Sequence, residues 1–294
     1  LQPVNKFATF LTAYKLAWLR LLFFSITFVL VACKSDNSTI RIKGSDTEVN
    51  LVADISESFY LANPKLFVSI SGGGSGLGIA SLINGTADLA NSSRRINSQE
   101  LEIFNKNNIR IDSFIFAQDA IAFVVSDQID LDAISIENLK SILSGDYSNW
   151  QSVINVNRPI NIYGRQSNSG TYSFIKKKLG IEFSPHSKQM NGNAQILESI
   201  RADNSGIGYV GAGYLMHGGT KGLKVLSVFS NSVEDAVSPL DNKKIEQGLY
   251  IFQRPLYQYF RVENYSKVKP FLDFEKTETG KKIIHSSGYY PVAL

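Results

Sequence analysis

The sequence predicts an α/β protein of two lobes joined by two crossings of the chain. Three observations carry this reading. Strand and helix patterns alternate from residue 40 onward, and three clusters of Ser, Thr and Gly fall where a strand pattern hands over to a helix pattern. Two β-prone runs in the middle of the chain are matched by another pair near its C-terminus.

Ile40-Arg41-Ile42 reads as a strand. Asp46 to Leu61 reads as a helix, with Val49, Val52, Ile55 and Phe59 at helical spacing and a stop at Asn63-Pro64. Phe67 to Ile70 is a second strand, broken by Gly72-Gly73-Gly74; Leu77 to Ile83 is a helix ending at Asn84-Gly85; Asp88-Leu89-Ala90 is a third strand. Units of this kind give parallel sheets with helices on both faces. The runs Phe114 to Phe116 and Ala120 to Val125, with Leu249 to Phe252 and Pro255 to Tyr257, would carry the chain between lobes twice. Between them Ile136–Leu143 (helix), Ile160–Tyr163 (strand), Thr171–Leu179 (helix) and Ile207–Val210 (strand) suffice for a second lobe. The expected division is residues 38–116 plus 247–294 for one lobe and 117–246 for the other.

The 294 residues are 44% hydrophobic and 19% charged, the composition of a folded domain with one apolar exception at its start. Residues 1–32 hold Lys6, Lys15 and Arg20 and no acid, which accounts for three of the four net positive charges. No basic stripe remains for nucleic acid. Lys15 and Arg20, the apolar run Leu21 to Val31 and the ending Leu30-Val31-Ala32-Cys33 describe a secretory signal. That ending resembles a lipobox, which would make Cys33, the only cysteine, a lipidated N-terminus after cleavage, followed by a polar tether over residues 33–39. The alternative is an uncleaved anchor helix, although the run is short against the roughly 20 residues of a span.

The junction clusters are Gly44-Ser45-Asp46-Thr47, Gly72-Gly73-Gly74-Ser75-Gly76-Leu77-Gly78 and Arg165-Gln166-Ser167-Asn168-Ser169-Gly170-Thr171. The first turn of a helix presents unpaired N–H groups, and the helix dipole adds about half a positive charge there. Ser and Thr add hydroxyl donors, and Gly lets an anion approach the backbone. One such junction is only a capped helix, and Ser45 or Asp46 can serve as a plain N-cap. Three, with an arginine beside one, suggest a tetrahedral oxyanion held from several sides. The glycine run fits neither the dinucleotide fingerprint nor the P-loop, since Ile79-Ala80 stands where Lys and Ser/Thr are required. The histidines His186, His217 and His285 lack metal-ligand spacing, and no Gly-x-Ser-x-Gly elbow occurs. No catalytic residue, metal or cofactor is expected.

Together with Ile83-Asn84-Gly85-Thr86-Ala87-Asp88-Leu89-Ala90-Asn91-Ser92-Ser93-Arg94, Ile207-Gly208-Tyr209 and Arg254-Pro255-Leu256-Tyr257, these clusters resemble the periplasmic phosphate-binding proteins of ABC transporters, in their shorter bacterial form, from about residue 40 to the C-terminus. The resemblance implies a type II periplasmic-binding-protein fold with phosphate in the cleft between two lobes. It also implies ABC permease subunits as partners, a monomer, and a place in the periplasm or on the outer face of the cytoplasmic membrane, lipid-anchored. Carried over, the ligand residues are Ser45, Asp46, Thr47, Ser75, Gly76, Arg165, Ser169, Gly170 and Thr171. Longer members place an aspartate after the third strand to accept the proton of phosphate and so reject sulfate; here Ala90-Asn91-Ser92-Ser93-Arg94 has no carboxylate. The expectation is that Asp46 takes that acceptor role while Ser93, or Arg94, supplies a donor. The alternative is that Asp46 only caps its helix and hydroxyl geometry discriminates.

Overall fold

The computed structural model describes residues 38–292, so the leader over 1–32, Cys33 and most of the tether lie outside the described residues. In chain order the elements are β1 (Thr39–Gly44), α1 (Val49–Ala62), β2 (Phe67–Ser71), α2 (Ser75–Ile83), β3 (Leu89–Ser92), α3 (Ser98–Lys106) and β4 (Ile111–Ser126). Next come β5 (Ala133–Ser135), α4 (Ile136–Ser144), β6 (Asn161–Arg165), α5 (Gly170–Leu179), β7 (Lys188–Met190), α6 (Asn193–Arg201), β8 (Gly206–Gly211), α7 (Gly213–Gly218) and β9 (Leu223–Phe229). The chain ends with α8 (Asn242–Glu246), β10 (Gln253–Arg261), α9 (Tyr265–Glu275), α10 (Glu278–Ser286) and β11 (Tyr290–Pro291). Among the described residues no helix is long and apolar enough to cross a membrane.

The strands run in the order β2-β1-β3-β10-β4-β8-β6-β7. The two β-prone runs read between residues 114 and 125 are one 16-residue strand, β4, and it organises the molecule. Its first part, Ile111 to Ala120, pairs with β10; its second, Ile121 to Val125, pairs with β8. The sheet therefore has two halves that share one strand. β1 is parallel to β2 and β3, and β6 to β7 and β8, as the strand–helix–strand pattern predicts. At the centre, outside those units, β10 runs antiparallel to both β3 and β4 and β4 antiparallel to β8. β10 follows no crossover helix from either neighbour, so nothing forces it to be parallel.

Leu249 to Phe252 is also not a strand; β10 begins at Gln253. The two aromatic side chains of this stretch serve burial, while Leu249 and Ile251 are exposed: Tyr250 and Phe252 are core residues, and Phe252 packs edge-on against Phe123 at 4.9 Å. Its polar groups fasten to the midpoint of β4, where Ile121 N donates to Phe252 O (3.0 Å) and Tyr250 Oη to Ile121 O (2.6 Å).

Side-chain alternation explains why the central strands are covered on both faces. Leu89 of β3 joins a cluster with Ile40, Ile42, Val52, Ile55, Phe59 and Phe271, whereas its neighbour Ala90 joins one with Ile79, Leu82, Phe104, Tyr257 and Tyr259. The helical stripe predicted on α1 is that contact face, with Phe59 meeting Phe271 edge-to-face at 5.2 Å. α2 sits so close to β1 that a Cβ at Gly78 would lie 2.6 Å from Lys43 O, which is why this turn is glycine. The close approach brings the start of α2 beside the loop after β1.

A candidate anion site between the two sheet halves

The three Ser/Thr-Gly clusters converge. Ser45 follows β1, Ser75 opens α2, Ser93 follows β3, and Ser169 caps α5 by accepting a hydrogen bond from Thr171 N (3.2 Å). Ser45 Oγ donates to Ser93 Oγ (3.2 Å), and Ser75 Oγ lies 3.4 Å from Ser93 Oγ while accepting from Ser93 N (3.1 Å). Thr47 Oγ1 lies 3.2 Å from Thr171 Oγ1. Every one of these side chains is buried. Ser45 does not cap the helical turn that follows it; its hydroxyl turns to Ser93 instead, one of a buried hydroxyl ring with Ser75, Thr47 and Thr171.

Gly170 ties the two halves together. A Cβ there would fall well inside contact distance of both Ser75 Oγ and Ser93 Oγ, so the start of α5 can seat against the first half only as glycine. Gly170→Ala is expected to fold but to weaken ligand binding roughly 10- to 100-fold, the overpacking cost of about 1–3 kcal/mol being borne by closure. Calorimetric titration with phosphate, alongside thermal unfolding of the unliganded protein, checks it.

Two buried arginines bond to these loops. Arg165, at the end of β6, is 2% exposed; its Nη1 donates to Asp46 Oδ2 (3.2 Å) and its Nη2 to Asn191 O (2.9 Å). Its Nε is buried without a partner, and burial pulls the guanidinium below its ordinary value against the opposing field of Asp46. Arg254, in β10, was not singled out from the sequence as a ligand residue. Its Nη2 donates to Thr171 Oγ1 (2.9 Å) and Thr47 Oγ1 (3.3 Å), and its Nη2 and Nε both reach Asp119 Oδ2 (2.8 and 3.1 Å). Arg254 and Asp119 stand directly opposite each other in the β10–β4 ladder. Burial pushes the Asp119 carboxyl up to about 6, against the pull of Arg254.

Asp46 does not cap a helix through its side chain. Its Oδ2 accepts from Arg165, from Asn193 N (2.8 Å) and from Asn193 Nδ2 (2.7 Å), all on the other sheet half. Gly76 lies at the rim: its amide donates to Asn168 O (3.0 Å), and Asn168 Nδ2 returns a bond to Gly73 O (3.1 Å). Arg94 is paired with Glu100 (2.6 Å). Asn193, Asp119 and Arg254 are the residues that pattern reading missed. For the last two a signal existed, since an acid and a base each sit between two β-prone runs and a buried charge requires a partner.

Buried hydroxyls and helix starts from separate loops, with two guanidiniums beside them, can surround one small oxyanion with donors. Built across two halves of a sheet, this is an arrangement suited to a solute-binding protein. A family model described as a PBP superfamily domain matches residues 32–275. The phosphate-binding protein PstS of Borreliella burgdorferi is 30% identical over 92% of this chain and 96% of its own length. The crystal structure of PstS from Borrelia burgdorferi, 29% identical, aligns with a TM-score of 0.53 over 87% of this chain and all of that one. A structure from Clostridium perfringens, described as a phosphate ABC transporter substrate-binding protein with bound phosphate, is 21% identical and shares the fold with a TM-score of 0.78, over 87% of this chain and all of that one. The chain belongs to the PstS family of phosphate-binding proteins within the PBP superfamily. Its fold is the type II periplasmic-binding-protein fold expected from the sequence.

Proposed function

We propose that this chain binds inorganic phosphate outside the cytoplasmic membrane and delivers it to the membrane subunits of an ABC transporter. The observation that carries the reading is the buried ring of Ser45, Thr47, Ser75, Ser93 and Thr171 hydroxyls, with Gly170 seated against it and Arg165 and Arg254 alongside. Phosphate lies within that ring, between lobes of residues 38–116 plus 247–294 and 117–246, and binding favours their closed arrangement. Binding is reversible and breaks no bond of the ligand, so aryl phosphates are not hydrolysed. Calorimetry of ligand-stripped protein tests the reading: submicromolar phosphate binding supports it, and equal or tighter binding of sulfate or molybdate contradicts it.

Asp46 acts as a latch between the lobes rather than as the acceptor of the phosphate proton. The support is that donors of Arg165 and Asn193, all from the other sheet half, converge on its Oδ2. Asp46→Asn is therefore expected to weaken phosphate and sulfate alike, leaving the ratio of their dissociation constants unchanged; a ratio that collapses would return Asp46 to the selectivity role. Cys33 carries the lipid that holds the mature protein at the membrane, a reading supported by the Leu30-Val31-Ala32-Cys33 pattern. Metabolic labelling with radioactive palmitate is expected to mark the wild-type chain and not Cys33→Ala; equal labelling of both removes the anchor from the account.

A further inference from the structure

Beside the hydroxyl ring lies a cleft of about 680 Å³, and Ser93 and Arg254 belong to both. One wall comes from the loop after β3, including Arg94 and Arg95; the other comes from α5, including Phe174, Lys177 and Lys178. Five lining residues are cationic and none carries a carboxylate. Two of the five are neutralised by partners just outside the cleft or beneath it, Arg94 by Glu100 and Arg254 by Asp119. Lys177 and Lys178 are exposed, and neither has an ion-pair partner among the described residues, whereas the adjacent Lys176 turns away to Glu182. Lysines in the last turn of a helix suit its dipole wherever they point. That does not explain why two of three line this cleft, nor why the surface opposite contributes Arg95 and no acid.

We propose that this cleft is an outer anion subsite, an antechamber that captures oxyanions through Lys177, Lys178 and Arg95 and passes them to the hydroxyl ring. The proposal rests on the phosphate-binding reading above. A cleft with charge of one sign and low-dielectric walls focuses its field, and Phe174, Pro255 and Tyr257 supply such walls here. Its capturing cations, Lys177, Lys178 and Arg95, are solvent-exposed heads rather than buried hydroxyls, so capture depends on charge and not on the ligand's proton. Selectivity stays with the ring; the antechamber sets the rate of entry.

The test is rapid mixing of inorganic phosphate with the full mature chain, followed through a competing fluorescent phosphate sensor, over a range of KCl concentrations. For wild type the association rate should fall as salt rises. In Lys177→Ser/Lys178→Ser it should drop about tenfold at low salt and lose most of its salt dependence, with the dissociation rate and the phosphate-to-sulfate preference unchanged. Lys177→Arg/Lys178→Arg should retain the wild-type rate. An unchanged association rate in the serine variant, or a loss confined to dissociation, overturns the antechamber while leaving the phosphate site intact. A wild-type chain that binds no phosphate in calorimetry overturns the functional reading itself, and this inference with it.

Discussion

Replacing Arg254 by Met is expected to lower the unfolding free energy by about 3–5 kcal/mol and to abolish phosphate binding. Arg254 and Asp119 are almost wholly inaccessible, with side chains 1% and 0% exposed. Asp119 Oδ1 already lacks a hydrogen-bond partner, so removing the guanidinium leaves a buried carboxylate with nothing to balance it. The cost should depend on pH in a definite sense. Burial sets the native carboxyl at about 6, above its ordinary value of 3.8, so its contribution is fully present below pH 4 and is lost as pH rises through the native value. Without Arg254 that native value moves higher still, so the deficit against wild type should be larger at pH 8 than at pH 5. Urea denaturation at the two pH values measures it. The double variant Arg254→Met/Asp119→Asn should recover most of the stability, since no charge is stranded, yet still fail to bind. Recovery of binding in the double variant would make the pair a structural device alone.

Arg165→Ala is expected to weaken phosphate binding by roughly 10²- to 10⁴-fold, with a much smaller effect on folding. Charge-assisted hydrogen bonds contribute about 1.5–3 kcal/mol each. Two are at stake: the one Arg165 makes to Asp46 across the cleft, and the one its unpartnered Nε is free to make to an anion. Arg165→Lys should not restore binding, because an ammonium cannot reach Asp46, Asn191 and a ligand in the fork geometry of a guanidinium. Calorimetry on the three proteins decides it, and wild-type affinity in Arg165→Lys would show that charge alone suffices.

Much of this architecture was legible because it rests on local rules. The apolar spacing of Val52, Ile55 and Phe59 defines the buried face of α1, and the Ser169-Gly170-Thr171 start of α5 follows capping preference. The three clusters that carry the hydroxyls were readable for the same reason, since each sits where a strand meets a helix. What escaped depends on distant pairing. No local pattern reveals that β4 is a single strand shared by both sheet halves, or that Leu249–Phe252 contributes aromatic burial and not a strand. The partner of Asp46 is 147 residues away at Asn193, and that of Asp119 is 135 residues away at Arg254. Such bonds exist only once topology has brought the segments together. Asp46 is expected as the proton acceptor from its place in the first loop, and nothing local to it shows that donors from the opposite half engage its carboxylate.

A crystal structure of the phosphate-bound protein tests the central claim most directly. The account predicts one phosphate between the sheet halves, within about 3 Å of hydroxyls from Ser45 or Ser93 on one side and Thr171 on the other, with a guanidinium nitrogen of Arg165 or Arg254 on a phosphate oxygen. A phosphate found only against Lys177 and Lys178 in the outer cleft, with the ring hydroxyls still bonded to one another, would contradict it.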